Sequence, residues 1–300
     1  MISLIVCTVS EDRYQDVIDL VNALWNKTAQ NIQVIIVVGR SEKLFQNLKI
    51  ALGQQNITVI FNNGDPGLSY QRNLGIEYAS GKFIGFLDDD VVPSIGWLSS
   101  VIALFKDPRT VGVTGPVLPL WSDCKASIPD SISWVVSCTS WVDFEDGEPV
   151  PFAWGGNMVF RREIFDAGLR FDCRLGLGGS NELLLGEETD FSVRARTVSG
   201  GTIRWSRKAV VWHKMKPFRS SFRYLTNRSI AMGFTQYHGK KSLVQVKAIQ
   251  RIFRIQRRET QMRRFGRTPL FRGLLAYYLV LASLVFGFIY AAAKSIIMNH

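Results

Sequence analysis

Apolar runs alternate with helical patterns through the first part of the chain, and this alternation constrains the fold more than any other feature. Runs rich in Val, Ile, Leu and Phe occur at residues 2–8, 32–38, 57–61, 83–87 and 111–115. Helical periodicity fills the intervals, at residues 13–25, 42–52, 68–79 and 95–105. Strands that are apolar on both faces are typical of parallel sheets covered by helices. The sequence therefore predicts an α/β fold with a Rossmann-like, mostly parallel sheet, whose ligands bind at the carboxyl ends of the strands.

Three consecutive carboxylates, Asp88, Asp89 and Asp90, directly follow the strand-like run 83–87. Like charges this close repel one another unless a cation compensates them, and hard oxygen ligands suit Mg²⁺ or Mn²⁺. Such ions keep coordination positions for water and substrate phosphates. A solvated acidic turn, or a cap for the helix at 95–105, is the simpler alternative. The position at a strand end favours contact with a metal ion or a nucleotide.

Just upstream, residues 67–73 have the sequence Gly-Leu-Ser-Tyr-Gln-Arg-Asn and lead into a helical pattern. Ser69 is suited to cap that helix, which is a purely structural role. Arg72, close to a helix N-terminus, is also suited to approach a phosphate group.

Beyond residue 115 the regular alternation ends. Residues 121–154 are predicted to form longer excursions with antiparallel edge strands, because they are rich in Ser, Pro, Trp and acidic residues. A second ordered stretch follows, with a strand at 158–160, a Gly-rich loop at 176–180 and a helix that begins near Glu187.

The net charge of +11 is divided unevenly along the chain. Residues 1–190 contain 14 Lys and Arg against 24 Asp and Glu, whereas residues 191–300 contain 22 against Glu259 alone. The basic third adjoins a long apolar run, and anionic lipid headgroups attract Lys and Arg by about 1 kcal/mol each. A membrane surface is therefore the predicted partner of this segment, and nucleic acid is not.

The C-terminal third has the features of a membrane attachment. Residues 240–267 are basic and place Leu243, Ile249 and Phe253 on about one helical face, which predicts a helix in the headgroup region. Residues 273–293 carry no formal charge over 21 positions, enough for one membrane span. A buried helix of a soluble domain is the alternative. Because Lys and Arg precede the span, a single-pass protein with its N-terminal domain in the cytoplasm is predicted.

These patterns predict four regions. They are a domain at 1–237, a basic amphipathic interfacial segment at 238–270, a transmembrane helix at 271–294 and a short tail at 295–300. The four cysteines are scattered without a CxxC pair, so we expect reduced thiols. The opening apolar run has no basic residue before it and is not expected to be a secretory signal.

Several ordered motifs together resemble the family 2 glycosyltransferases, which are inverting enzymes with the GT-A fold. The resemblance covers about residues 1–215. It rests on the opening strand at 3–8, the segment 67–75, Leu87-Asp88-Asp89-Asp90 followed by Pro93 and Trp97, Gly155-Gly156-Asn157-Met158-Val159-Phe160-Arg161-Arg162, Gly186-Glu187-Glu188-Thr189-Asp190, and Val211-Trp212-His213.

The resemblance implies transfer of one sugar from a nucleoside-diphosphate sugar to an acceptor hydroxyl or phosphate, in glycan or polysaccharide assembly. Asp88 and Asp90 would form the D-x-D pair, and the metal, Mg²⁺ or Mn²⁺, would be held by Asp90, Asp88 and His213. The implied nucleotide-sugar contacts are Thr8, Ser10, Glu11, Arg72, Asp88 and Asp89. The implied acceptor-side residues are Trp154, Gly156 and Asn157.

The implied catalytic base lies in the acidic segment near 187. Related enzymes commonly have Glu-Asp where this chain has Glu187-Glu188, so the aligned base is Glu188, with Asp190 and Glu187 as neighbouring candidates. A base must reach the acceptor proton and have a suitable pKa. Acidic residues that complement the dipole of a helix N-terminus are the structural alternative for all three.

Two departures from the family pattern affect specificity. Related enzymes often place an Asp against the nucleotide base at the end of the strand 32–38, where this chain has Gly39-Arg40, so uridine, thymidine and guanosine donors all stay open. Processive synthases carry Q-x-x-R-W, whereas Gly201 precedes Arg204-Trp205 here, and this favours a single addition.

Two other functions compete with sugar transfer. A nucleotidyltransferase would carry a Gly-rich basic loop near the N-terminus, which residues 7–12 lack. A non-catalytic, membrane-bound nucleotide-sugar-binding protein would be expected to have lost the acidic groups, which are present. The basic segment and the span favour a lipid-linked acceptor over a soluble saccharide.

Overall fold

A computed structural model gives the fold of residues 1–28, 32–53, 56–65, 67–122, 128–176, 185–238 and 270–298. The predicted interfacial helix at 240–267 and residues 177–180 of the predicted Gly-rich loop lie outside these described residues. The chain groups into two compact units, Met1–Val117 with Phe144–Asn181 and Gly186–His213, and Leu118–Asp143 with Glu182–Leu185 and Lys214–His300. The domain boundaries expected from the sequence stay predictions.

Eleven strands are present in the described residues. They are β1 (Ile2–Thr8), β2 (Ile32–Gly39), β3 (Ile57–Asn62), β4 (Phe83–Asp88), β5 (Val91–Pro93), β6 (Thr110–Thr114), β7 (Val117–Trp121), β8 (Pro149–Val150), β9 (Asn157–Arg161), β10 (Thr202–Trp205) and β11 (Val211–Met215). The main sheet has the order β3-β2-β1-β4-β9-β6-β10-β8, and a small sheet has the order β5-β11-β7. Pairing is parallel from β3 to β4 and between β6 and β10, while β9 and β8 run antiparallel to their neighbours. The predicted mostly parallel sheet is confirmed.

The described helices agree with the predicted alternation. They are α1 (Tyr14–Thr28), α2 (Glu42–Ala51), α3 (Leu68–Glu77), α4 (Trp97–Leu104), α5 (Arg162–Asp166), α6 (Glu187–Ser199), α7 (Phe222–His238) and α8 (Leu270–Met298). Short 3-10 helices lie at Glu11–Arg13, Asp130–Val136 and Pro217–Ser220. α4 starts two residues later than predicted, because Gly96 adopts the left-handed conformation, with a φ of 81°, immediately before it.

The centre of the sheet is apolar on both faces. Leu4 and Val6 of β1 and Val34 of β2 are fully buried, and burying such a side chain stabilises the fold by about 1.5–3 kcal/mol. α3 lies close against β1 at Gly75, where a Cβ would come within 2.5 Å of Ile5 Cγ2. This close packing holds the last turns of α3 against the middle of β1.

The sheet order creates a switch point between β1 and β4. The chain moves outward from β1 to β2 and β3, and then returns to place β4 on the other side of β1. Cys7 of β1 is in register with Asp88 of β4, so the last residues of both strands lie side by side. In open α/β sheets this is where ligands bind.

In the second unit, α7 and α8 pack against each other. Their backbones approach closely at two glycines, because a Cβ on Gly233 would overlap the Leu284 carbonyl oxygen and one on Gly287 would overlap that of Ile230. Residues Leu275–Ala293 of α8 are long and apolar enough to cross a membrane, by length and composition alone. The exposed large apolar side chains of α8 are Leu275, Tyr278, Val285, Phe286, Ile289 and Tyr290.

Candidate active site

The acidic triplet is held where β4 ends and the chain turns into β5. Asp88 is the last residue of β4, and Asp89 and Asp90 form the turn. β11 pairs with β5 so that His213 lies opposite Val91, which brings the His213 imidazole to the triplet. His213 Nε2 lies 3.0 Å from Asp90 Oδ1, and each of these two residues is only 2% exposed.

Arg13 supplies the positive charge nearest to the triplet. Its Nη1 lies 2.7 Å from Asp90 Oδ2 and its Nε lies 3.8 Å from Asp89 Oδ1. Burial and the neighbouring Asp90 charge nevertheless raise the pKa of Asp89 to about 7, against the opposing effect of Arg13. Arg13 therefore compensates the charge of Asp89 incompletely.

The residues of the triplet fit a divalent cation by charge and by donor type. They offer three hard carboxylates, and the described guanidinium groups beside them are Arg13 and Arg72, of which Arg72 is shared with Glu187. No group of three or more His, Cys, Asp or Glu side chains in the described part of the chain is arranged to hold a metal alone. Mg²⁺ usually takes only one or two carboxylates, with the phosphates of a substrate completing its coordination.

A second cluster is centred on Arg72 of α3, which is only 3% exposed. Arg72 Nη1 lies 2.9 Å from Glu187 Oε1, and Nη2 lies 3.8 Å from Asp88 Oδ1. Nη2 also donates a 3.5 Å hydrogen bond to the Gly155 carbonyl oxygen. The guanidinium thus links the start of α6, the end of β4 and the chain before β9.

Glu188 lies beside this cluster in the first turn of α6 and is partly exposed. Its pKa is raised to about 8, chiefly by loss of hydration and then by the charge of Glu187, while Arg72 acts in the opposite direction. Asp190, two residues further in the same turn of α6, accepts a 2.6 Å hydrogen bond from Arg194 Nη2. Glu187 and Asp190 are thus both paired with a guanidinium, and Glu188 has the pKa suited to accept a proton near neutral pH.

Two glycines allow the chain before β9 to approach these groups. A Cβ on Gly156 would lie 2.9 Å from Asp88 Oδ2, and one on Gly155 would lie 3.1 Å from Arg72 Nη2. Side chains at these positions would displace the carboxylate and the guanidinium. The Gly-Gly pair therefore keeps the space beside Asp88 clear.

Comparison with known proteins settles the family. The sequence profile of glycosyl transferase family 2 matches residues 3–169, more than half of the chain. The chain belongs to that family. It is therefore a glycosyltransferase, as the motifs predicted.

Two curated relatives carry names that agree with this assignment. The glucosyl-dolichyl phosphate glucuronosyltransferase of Haloferax volcanii is 27% identical over 238 residues, which are 78% of this chain and 76% of the relative. The succinoglycan biosynthesis protein ExoM of Rhizobium meliloti is 30% identical over 177 residues, 58% of this chain and 52% of that protein.

Solved structures show the same fold. The mannosyltransferase PcManGT from Pyrobaculum calidifontis, in complex with GDP-Man and Mn²⁺, has a TM-score of 0.57 at 12% identity over 100% of this chain and 80% of its own. TarS of S. aureus, in complex with UDP, has a TM-score of 0.53 at 17% identity over 77% of this chain. The chain spans 65% of that TarS structure. The predicted GT-A fold is confirmed.

In this glycosyltransferase, the residues expected on the acceptor side differ in exposure. Trp154 is partly exposed and packs edge-on against Trp205, with ring centroids 5.3 Å apart. Asn157 is only 1% exposed, and its amide is used inside the fold. It accepts a 2.9 Å hydrogen bond from Trp97 Nε1 and donates one of 2.7 Å to the Ala209 carbonyl oxygen. These bonds hold the start of β9, and contact of Trp154, Gly156 and Asn157 with the acceptor stays a prediction.

The nucleotide contacts expected at the end of β1 and just after it also differ in exposure. Thr8 is buried at the end of β1. Ser10 donates a hydrogen bond to Asp12, and Glu11 forms a 2.9 Å salt bridge with Lys43. Ser10 and Glu11 are exposed, and their contact with a nucleotide stays a prediction.

The motifs did not identify Arg13 as part of the site. The only hint in the sequence was its position shortly after β1, the strand adjacent to β4 in the sheet. Arg72 contacts Glu187, Asp88 and Gly155, and its expected contact with a phosphate stays a prediction.

Proposed function

We propose that this glycosyltransferase is an inverting, metal-dependent enzyme that moves one sugar from a nucleoside-diphosphate sugar to a lipid-linked acceptor. The observation that carries the proposal is the position of Arg72 between two acidic groups. It lies 3.8 Å from Asp88 and 2.9 Å from Glu187, the neighbour of Glu188. The carboxylate proposed for the diphosphate side and the neighbour of the proposed base thus lie beside one buried guanidinium.

On the donor side, Asp88 and Asp90 are the proposed metal and nucleotide contacts, with His213 beside them. A bound Mg²⁺ or Mn²⁺ would neutralise charge on the diphosphate leaving group. Arg13 and His213 fix the orientation of the Asp90 carboxylate through its two oxygens. Asp88 is partly exposed at the strand end and faces the space that Gly156 keeps clear.

On the acceptor side, Glu188 is the proposed general base. It would take the proton of the acceptor hydroxyl as the oxygen attacks the anomeric carbon from the face opposite the diphosphate, which inverts that centre. Positioned general bases contribute about 10²–10⁴-fold to rates, and they work best with a pKa near the operating pH. The raised pKa of Glu188 meets that condition.

Attachment to a membrane supports the lipid-linked acceptor. The named relative from Haloferax volcanii is a glucosyl-dolichyl phosphate glucuronosyltransferase. The apolar segment Leu275–Ala293 and the ten Lys and Arg residues between positions 239 and 269 suit a bilayer with an anionic surface. We propose a single-pass protein whose catalytic domain faces the cytoplasm.

The direct test is turnover of nucleotide sugars by the purified full chain. We expect release of the nucleoside diphosphate with Mn²⁺ or Mg²⁺, loss of release with EDTA, and NMR evidence of an inverted anomeric centre in the product. Release of pyrophosphate from a nucleoside triphosphate supplied with a sugar 1-phosphate would indicate a nucleotidyltransferase instead, and binding of nucleotide sugars without turnover would indicate a binding protein.

The acceptor is tested with the same protein in vesicles. We expect faster transfer to a polyprenyl-phosphate-linked sugar than to a water-soluble saccharide of the same structure. Equal rates on both acceptors would contradict the lipid-linked proposal without affecting the proposed chemistry.

A further inference from the structure

Helix α3 carries three polar side chains on one face, of which the proposed function uses Arg72. Ser69, Arg72 and Asn73 are spaced at i, i+3 and i+4, which places them side by side on the helix. Ser69 was suited by sequence to cap α3, but the N-cap position is Gly67 and Ser69 lies inside the helix. Ser69 is only 1% exposed, so its hydroxyl serves a contact within the fold.

Ser69 and Asn73 both bind one segment, residues 171–176, which we call the strap. Asn73 Nδ2 donates a 2.9 Å hydrogen bond to the Phe171 carbonyl oxygen, and Asn73 Oδ1 accepts one of 2.9 Å from the Phe171 N–H. Ser69 Oγ donates a 2.9 Å hydrogen bond to the Leu175 carbonyl oxygen. The strap is therefore held to α3 near both of its ends.

The first end of the strap supports Arg72. The Phe171 ring is buried, and Arg72 Cζ lies 5.3 Å from its centroid, within range of a cation–π contact. The same ring stacks on Phe191 of α6, with centroids 4.3 Å apart, and meets Phe86 of β4 edge-on at 5.1 Å. A displacement of Phe171 would therefore shift both Arg72 and the helix that begins at Glu187.

The other end of the strap lies against Glu187. Gly176 follows Leu175 with a φ of 96°, and a Cβ at this position would lie 3.0 Å from Glu187 Oε2. The other carboxylate oxygen, Oε1, accepts the 2.9 Å hydrogen bond from Arg72 Nη1. The strap and the guanidinium thus hold Glu187 from two sides, and Glu188 is the next residue of α6.

We propose that Ser69 and Asn73 are positioning residues for the general base, Glu188, and that they act through the strap. The inference rests on the proposed function, because it assumes that Glu188 takes the acceptor proton. The amide fixes the ring that supports Arg72, and the hydroxyl fixes the chain beside Glu187. The carboxylate of Glu188 is thereby kept where the acceptor reaches it. A misplacement of about 1 Å in a catalytic site can lower a rate about 10²-fold.

The test is a double-mutant cycle in the transfer assay with the polyprenyl-phosphate-linked sugar. Asn73→Leu and Ser69→Ala are each made in the wild-type chain and in Glu188→Gln. The values of kcat, the KM of the nucleotide sugar and the melting temperature are measured for every protein. The cycle separates a residue that acts through the base from one that only stabilises the fold.

The matched control is Gln33→Leu, near the start of β2 and therefore at the edge of the sheet opposite the site. Like the Asn73 amide, the Gln33 amide donates to a backbone carbonyl oxygen, that of Tyr78, and accepts from a backbone N–H, that of Ser80. Gln33→Leu should lower the melting temperature, as Asn73→Leu does, and should keep the wild-type kcat.

We expect Asn73→Leu to lower kcat about 10- to 100-fold and Ser69→Ala about 3- to 10-fold in the wild-type chain, with little change in the KM of the nucleotide sugar. In Glu188→Gln, neither substitution should lower kcat by more than about twofold, because the group that they position is already absent.

Equal losses of kcat in the wild-type and Glu188→Gln backgrounds would overturn the inference, as would a wild-type kcat in both Asn73→Leu and Ser69→Ala. If Asn73→Leu does not fold, Ser69→Ala still decides the question, because it removes a single hydroxyl and leaves the strap sequence unchanged. A wild-type chain that transfers no sugar, or a Glu188→Gln variant that keeps the wild-type kcat, would contradict the proposed function itself, and this inference with it.

Discussion

Two acidic clusters of the catalytic unit differ in how their charge is compensated. At the end of β4, Asp90 lies 2.7 Å from Arg13 and Asp88 only 3.8 Å from Arg72, and the pKa of Asp89 between them stays raised, to about 7. At the start of α6, Glu187 is paired with the buried Arg72, and Asp190 is paired with Arg194. Glu188 lies between these two pairs with a pKa of about 8.

The difference indicates different chemical tasks. Three adjacent carboxylates at the end of a strand are suited to a divalent cation and a diphosphate. A cluster in which the neighbours are already paired leaves one carboxyl group with a pKa near neutrality, which suits proton transfer. We infer that the first cluster binds a divalent cation and that the second accepts a proton.

The largest expected effect follows removal of the proposed base. Glu188→Gln keeps the size of the side chain but cannot accept the acceptor proton, so kcat should fall about 10²- to 10⁴-fold while nucleotide affinity is retained. Steady-state transfer assays and calorimetry measure the two quantities. Glu163→Gln, on the exposed side of α5, is the matched control and should behave as wild type. A kcat of Glu188→Gln within tenfold of the wild-type value would mean that another group is the general base.

A large effect on stability is expected at Arg72. Arg72→Met leaves Glu187 as an unpaired buried carboxylate, and breaking such a pair typically costs about 3–5 kcal/mol of unfolding free energy. Asp166→Asn breaks the exposed pair with Arg162 and should cost about 0–1 kcal/mol. Urea unfolding monitored by circular dichroism gives both values. Similar losses for the two variants would mean that Arg72 is not the buried link between the clusters.

A smaller effect is expected in the pH profile. The base must be ionised, so kcat/KM should rise about tenfold per pH unit below the Glu188 pKa and level off above about 8. Folding favours the protonated form of this group, so its contribution to stability is present below pH 4.5 and is lost as the pH rises to about 8. Activity and this part of the stability therefore change in opposite directions.

Glu187→Gln sharpens the same prediction. It removes a negative charge that raises the Glu188 pKa, so the acid limb of the profile should move to lower pH, by about one unit. The measurement is kcat/KM from pH 5 to pH 9 in buffers of constant ionic strength. If the acid limb of the pH profile stays in place, or moves to higher pH, the group that titrates there is not Glu188.

The sequence predicted the sheet and the family because their signals are local and periodic. Strands β1 to β4 are continuous apolar runs, and the triplet of carboxylates follows directly on β4. Apolar runs and the residues that follow them can be read directly from the sequence, without knowing which distant residues they will contact.

The contacts within the site could not be predicted in the same way. Arg13 meets Asp90 across 77 positions of sequence, and Arg72 meets Glu187 across 115. The hydrogen bonds of the Asn157 amide with Trp97 and Ala209 likewise join residues that are far apart in sequence. The direction of a side chain depends on neighbours that are distant in sequence.

The division between the two clusters is tested most directly by titrating Mn²⁺ into three proteins, the wild type, Asp90→Asn and Glu188→Gln, in the presence of a nucleoside diphosphate. Electron paramagnetic resonance of free Mn²⁺ gives the affinities. We predict that Asp90→Asn weakens Mn²⁺ binding at least about tenfold, and that Glu188→Gln binds it as the wild type does. Equal weakening in both variants, or unchanged binding in Asp90→Asn, would contradict the separation of a cation site from a proton site.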